Sequence, residues 1–281
     1  MPDGGFLLRL SRAVAYFLAT IPIALTQTVL LLLHSRWARH MPMFYHRTCC
    51  RLFGFQVDAV GQQSDVRPTM YVVNHASYLD IPILGSIIEG SFVAKAEVAN
   101  WPFFGFLAKL QRTIFIDRRP GSSAKHRDAL MQRLVEGDDL IIFPEATSGD
   151  SIHMLPFKST LFSVAEFCPR GVPLQVQPVS VAYVRLDGMP LGRFYRPFLA
   201  WYGDMHVMPH LWTMLGLGDV TVKVIFHPPV TLEQFGSRKA LAEHCYRVIA
   251  QGLTTALAGR APGDEVAAAE VDDELIVDAV E

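Results

Sequence analysis

The chain has 281 residues, 51% of them hydrophobic, with a formal net charge of −2 and four cysteines. That is enough for one large or two small domains with a sizeable core. Cys49, Cys50, Cys168 and Cys245 show no CxxC spacing and the ten histidines no i, i+4 pairing, which argues against a disulfide framework and against a metal site. Free thiols are expected, with Cys168 and Cys245 in the core.

The first element is apolar. Ala13 to Leu33 carries no charge over 21 residues, just long enough to cross a hydrocarbon layer of about 30 Å as a helix. No A-x-A cleavage pattern follows, so a signal peptide is not favoured, and Pro22 predicts a kink or a re-entrant turn as readily as a straight span. The next stretch, HSRWARHMPMFYHRTCCRLF, reads as a basic amphipathic helix. Its Arg36, Arg39, Arg47 and Arg51, interleaved with Trp37, Phe44, Tyr45 and Phe53, suit an anionic headgroup layer. Only Arg9 and Arg12 precede the apolar run, so the following domain is expected on the cytoplasmic side of the inner membrane. Residues 1–54 are therefore expected to be a membrane-docking segment.

From Phe55 the pattern becomes α/β. Strands are predicted at Phe55–Val60, Thr69–Val73, Phe92–Ala94, Thr113–Ile116, Leu140–Phe143, Leu174–Val181 and Val220–Phe226. Helices are predicted near Ile81–Ile88, Pro102–Leu110, Ser123–Glu136, Lys158–Phe167 and Ser237–Leu257. In Ser123–Glu136 the stripe Leu130, Met131, Leu134, Val135 should face the core, and Gly137 should end the helix. Alternation at βαβ spacing predicts a mixed central sheet flanked by helices over residues 55–260. Arg185 to Gly218, rich in Gly, Pro, Trp and Tyr, breaks the pattern and reads as a surface excursion. The tail Gly263 to Glu281 carries eight acids and no base, and removing it moves the net charge to +6. It reads as a solvated, disordered tail without a catalytic role.

In such folds working residues sit at the carboxyl ends of strands. NHASYLD follows TMYVV, Lys95 follows SFVA, Asp117-Arg118-Arg119 follows TIFI, and Pro144-Glu145-Ala146-Thr147-Ser148 follows LIIF. There is no GxSxG elbow, no P-loop and no dinucleotide fingerprint. What remains is His75 with Asp80, a base and a carboxylate without a protein nucleophile, which suits direct attack by a substrate hydroxyl. Residues i and i+5 do not share a helix face. His75 must lie on the turn before a helix, with Asp80 in the first turn reaching back to fix its tautomer. The same residues also fit an ordinary boundary, with Asn74 or Ser77 as cap and Asp80 favouring the helix N-terminus.

NHASYLD resembles the NHxxxxD box of the glycerolipid acyltransferases, which include the 1-acylglycerol-3-phosphate acyltransferases. TIFIDRR is similar to their GxxFIDR box, FPEATS with the downstream LPFK to FPEGTRS and PFK, and LQVQPVSVAY to their fourth box, in the same order over roughly residues 55 to 182. The resemblance implies acyl transfer from acyl-carrier protein or coenzyme A to a lysolipid hydroxyl, without cofactor, metal or covalent intermediate. It implies His75 as general base and Asp80 as its orienter, with oxyanion donors near the turn after the third box. It also implies Arg118 on the acceptor's polar head and Glu145 and Thr147 shaping that pocket. Lys95 and Lys158 are cationic groups that could assist or stand as solvated lysines. Three positions depart from the pattern: Thr113 and Ala146 replace glycines, and Ser148 replaces an arginine that clamps phosphate. Lysophosphatidate, the family's commonest acceptor, is expected first, and a lyso-ornithine or other non-phosphomonoester lipid second. A non-catalytic lipid-binding homologue and a hydrolase using His75-activated water are the rivals from other classes.

Overall fold

The computed structural model describes residues 5–116 and 123–260. The acidic tail, expected to be disordered, lies outside the described residues, as does the Asp117-Arg118-Arg119 run.

Helix α1 (Phe6–Leu32) runs through Pro22 unbroken. A short 3-10 turn, Arg36–Arg39, leads into α2 (Met41–Phe53). Gly54 then ends α2 in the left-handed region (φ 75°), a conformation that favours glycine, and a Cβ there would also crowd the Gly218 carbonyl at 3.2 Å. Eight strands follow among the described residues: β1 (Phe55–Val60), β2 (Thr69–Val73), β3 (Gly90–Lys95), β4 (Ile114–Ile116), β5 (Asp139–Ile142), β6 (Gln175–Leu186), β7 (Met189–Pro190) and β8 (Val220–Phe226). Between them lie α3 (Asp80–Gly85), α4 (Phe104–Leu110), α5 (Ser123–Val135) and α6 (Val207–Met214), and α7 (Arg238–Leu257) closes the fold.

The strand order is β1-β8-β6-β2-β5-β3-β4, with β7 paired to β6. β6, β2, β5, β3 and β4 are mutually parallel, whereas β6 and β8 are antiparallel and β1 follows β8. The carboxyl ends of β2, β3, β4 and β5 therefore share one edge, and the loops that carry His75 and Glu145, with Lys95 at the end of β3, lie at it. Central β2 is buried throughout and alternates between two cores. Tyr71 and Val73 face the side covered by α2 and α3, and Met70 and Val72 the side covered by α7, as expected for a strand with helices on both faces.

Four expectations need correction. Val135 is 53% exposed while Leu134 is fully buried, because only one edge of the α5 stripe reaches the sheet. Cys168 is exposed beside a short 3-10 turn at Pro169–Gly171, although Cys49, Cys50 and Cys245 are buried. Ser159–Glu166 forms a 3-10 run rather than an α-helix. Two arginines assigned to the headgroup layer bond the domain instead: Arg39 donates to Glu136 O and Arg47 to Ser86 O, closing otherwise unpaired carbonyls at helix ends.

α1 is inverted relative to a helix of a soluble core. Its buried residues are Thr20 and Gln27, whereas Leu7, Leu18, Leu25 and Leu32 are well exposed. The Gln27 amide donates to Ala38 O and Leu110 O, both at 2.9 Å, and Arg12 donates to Leu217 O at 2.5 Å. Tyr16 accepts from the Tyr45 hydroxyl at 2.8 Å and packs on Phe53. The two fully buried side chains of α1 are thus hydrogen-bonding ones and several of its leucines face away, the reverse of the usual stripe.

Candidate active site

β2 ends at Val73, and the chain leaves the sheet through Asn74. The Asn74 side chain copies a strand's hydrogen bonding: its amide donates to Val181 O at 2.9 Å and its oxygen accepts from Val181 N–H at 2.8 Å. The loop therefore starts from a fixed point on β6. Asn74 is thus no helix cap, and α3 begins at Asp80 with Leu79 before it.

His75 is held at both ends of its peptide unit. Its N–H donates to Glu145 Oε1 at 2.7 Å, and its carbonyl accepts from Gly149 N–H at 2.8 Å. The ring stacks on Phe143 with centroids 4.1 Å apart. Nδ1 lies 2.8 Å from Asp80 Oδ2. An ionised carboxylate only accepts, so Nδ1 carries the proton and Nε2 keeps its lone pair. Asp80, in the first turn of α3, is fully buried, yet its charge is compensated. Oδ2 also accepts from the N–H groups of Ala76 and Ser77, at 2.8 and 3.0 Å, and Oδ1 from the Tyr183 hydroxyl at 2.7 Å. Burial, reinforced by the Asp80 charge, pushes the Tyr183 phenol well above its ordinary value and keeps it a donor. Four donors on one carboxylate satisfy the condition for burying an ion. The i, i+5 spacing works because His75 lies on the turn and Asp80 reaches back.

Glu145 is placed differently from the pocket-shaping role that the resemblance implies. It is 4% exposed, and besides His75 N–H it accepts from Leu155 N–H at 2.6 Å. The carboxylate clamps backbone from two loops and has no open face for a ligand. Burial raises it to about 7 against the pull of those two hydrogen bonds. Thr147 is exposed on the turn beside it. Lys95 is half-buried at the end of β3, and Lys158 is exposed, its N–H donating to Pro144 O at 2.8 Å. Arg118 lies outside the described residues. Ala146 sits in the left-handed region at φ 67°, which explains why a glycine is at home there.

Ser148, where an arginine was expected, is not a vacancy. It is 7% exposed and its hydroxyl donates to the Trp201 carbonyl, while Trp201 N–H donates to Ala76 O at 2.9 Å. The Tyr78 hydroxyl donates to His210 Nδ1 at 2.9 Å, and His210 Nε2 donates to Phe198 O at 3.1 Å. The segment read as a surface excursion is therefore fastened to the loop that carries His75. No local pattern marks these long-range bonds; a run of aromatics beside Gly and Pro was the only signal.

Behind the loop, Tyr78 and Leu79 form one wall of an apolar cavity of about 850 Å³, mouth included, whose other walls include Tyr16, Phe53, Phe104 and Leu211. It lies among α1, α2, α4 and α6. Among the described residues no group of three or more His, Cys, Asp or Glu is placed to hold a metal ion.

The chain is similar to known proteins over most of its length. Residues 57–182 match the Acyltransferase family model. The chain is 41% identical over 251 residues to a lyso-ornithine lipid O-acyltransferase of Brucella abortus, covering 88% of this chain and 93% of that one. It is 30% identical over 170 residues to a 1-acyl-sn-glycerol-3-phosphate acyltransferase of Neisseria gonorrhoeae, covering 59% and 63%. The fold is shared with the crystal structure of the 1-acyl-sn-glycerophosphate acyltransferase PlsC of Thermotoga maritima, at a TM-score of 0.61 and 21% identity over 91% of this chain and 97% of that one. The chain belongs to the glycerolipid acyltransferase family and is an acyltransferase.

Proposed function

We propose that the enzyme moves a fatty acyl group from acyl-carrier protein or acyl-coenzyme A to the free hydroxyl of a lysolipid, and that lyso-ornithine lipid is the acceptor. The observation that carries the reading is the His75 ring, held through Nδ1 by a buried carboxylate and left with one basic nitrogen. Among the described residues no serine, threonine or cysteine side chain hydrogen-bonds that ring, and the Ser148 hydroxyl is spent on Trp201. The nucleophile is then the acceptor's own hydroxyl.

His75 Nε2 takes the hydroxyl proton as the oxygen attacks the thioester carbonyl. Asp80 stabilises the imidazolium that results. The tetrahedral intermediate collapses with cleavage of the C–S bond, and the proton on Nε2 passes to the departing thiolate. His75 is neutral again, and no group on the protein is acylated. Glu145 acts as a positioning residue through the His75 peptide.

Two observations support the acceptor assignment. A relative 41% identical over 88% of this chain is named for lyso-ornithine lipid, and Ser148 replaces a cation with a hydroxyl already engaged by Trp201. A zwitterionic amino-acid head needs less fixed positive charge than a phosphomonoester. Membrane association rests on α1, which is bonded to the domain at Arg12 through Leu217 O and at Gln27 through Leu110 O. A helix bonded along most of the length it would need to cross a bilayer lies in the interface instead, with Leu18 and Leu25 toward acyl chains.

The test is a side-by-side assay of lyso-ornithine lipid and lysophosphatidate with both acyl donors. A higher kcat/KM on lyso-ornithine lipid is expected. Equal or faster turnover of lysophosphatidate overturns the acceptor assignment, and undiminished transfer by His75→Ala overturns the mechanism.

A further inference from the structure

The excursion between β6 and β8 exposes a second apolar surface. Phe194 is 77% exposed, and Tyr195, Phe198, Met189 and Met208 also project outward. The rings of Phe194, Tyr195 and Phe198 form a cluster with centroids 5.3 to 6.4 Å apart. The backbone beneath them is held in place: Arg196 donates to Leu191 O at 3.1 Å and to Leu257 O at 2.7 Å, and Leu191 N–H donates to Val184 O at 2.8 Å. Large apolar groups held rigidly in the open mark a surface with a partner.

The partner is indicated by continuity. Met208 and Trp212 lie four residues apart on α6 and share a face. Trp212 meets Phe6 of α1 at 5.9 Å, and Arg12 of α1 donates to Leu215 O and Leu217 O just beyond α6. The exposed row of α1 and the exposed face of α6 are thereby joined at one seam. Val207 and Leu211, on the neighbouring face of α6, line the apolar cavity together with Tyr16 and Phe53. Arg185 and Arg193, which precede the aromatics in the chain, are also exposed, a composition that suits a headgroup layer.

We propose that the excursion is a second lipid-docking surface, continuous with α1, so that the enzyme seats on a bilayer by two surfaces, with the cavity that α1 and α6 both wall lying between them. The acyl chain of a substrate then passes from the leaflet into the cavity without crossing water. This inference extends the reading of α1 as an interfacial helix but does not depend on which lysolipid is acylated.

The test is flotation of the full-length protein with vesicles of phosphatidylcholine and phosphatidylglycerol. The double variant Phe194→Glu, Met208→Glu is expected to bind roughly tenfold or more weakly, while its turnover of a short-chain lysolipid dispersed in detergent stays at the wild-type level. Unchanged vesicle affinity overturns the proposal. So does a wild-type dimer in sedimentation that the double variant dissolves without loss of vesicle affinity, since the surface would then be an interface between copies. A separate variant, Phe194→Trp, asks the same question without adding charge: its fluorescence should be quenched by vesicles of brominated lipid beyond that of wild type, and no added quenching overturns the proposal. Failure on vesicles with dispersed-substrate turnover intact removes the docking surface and leaves the acyl-transfer reading standing. Wild-type protein without transfer on any substrate removes that reading alone.

Discussion

The loop after β2 and the loop after β5 lie side by side at the same sheet edge, and both are dense in polar residues. In the first, a ring of donors around Asp80 leaves His75 Nε2 with an unspent lone pair. In the second, Glu145 binds two backbone N–H groups, Ser148 a carbonyl, and Asp150 the N–H groups of Ile152 and His153. One loop holds a reactive atom and the other holds the first loop in place. Similar residue types at neighbouring strand ends thus divide between chemistry and support, and hydrogen-bond partners rather than residue identity tell the two apart.

That division is broken hardest at the first loop. His75→Ala should lower kcat by about 10³ to 10⁴ with the circular dichroism spectrum unchanged. Asp80→Asn should cost on the order of 10² to 10⁴ in kcat, because an amide turned toward Nδ1 favours the wrong tautomer. Moderate loss with unchanged pH dependence would instead make Asp80 a packing residue.

Effects in the second loop should be smaller and should fall on stability as well. Glu145→Gln leaves Leu155 N–H or His75 N–H facing an amide donor and should lower kcat about tenfold to a hundredfold through displacement of the His75 peptide. Its pH signature has a definite sign. The folded carboxyl titrates at about 7, above the value of 4.5 usual for a glutamate. The stability it contributes is therefore full below about 4.5 and is lost as pH rises through 7. Denaturation midpoints should fall across that window in wild type and flatten in Glu145→Gln. Ser148→Ala should cost about 1 kcal/mol of stability, the net worth of one buried hydrogen bond, and shift KM for the acceptor more than kcat. The smallest effect is a gain: Ala146→Gly should raise stability by roughly 1 kcal/mol by relieving a left-handed alanine, measured by urea unfolding.

Much of this was legible in the sequence. Seven strands and the turn geometry of the His75–Asp80 pair follow from periodicity and spacing, because both reflect contacts within a few residues. Asn74, Tyr183 and Trp201 did not announce themselves. Their partners lie tens to more than a hundred residues away, and Asn74 in a strand-end loop reads most simply as a cap. Ser148 was legible as a departure from a family pattern but not as a fastening, since its partner belongs to the segment whose pattern was weakest. The inversion of α1 was also hidden: composition registers an uncharged apolar run, while only packing shows that Thr20 and Gln27 are the inward residues.

The pairings of Asn74 with Val181 and of Asp80 with Tyr183 also bear on how the enzyme is made. Each joins residues more than a hundred positions apart. During synthesis the histidine and its carboxylate emerge long before the strand that anchors them. Asp80 then lacks its phenol donor, and the loop lacks its anchor on β6. Reactivity should therefore arise late and all at once, when β6 docks beside β2, and a nascent chain that stalls before Tyr183 should be inert toward thioesters.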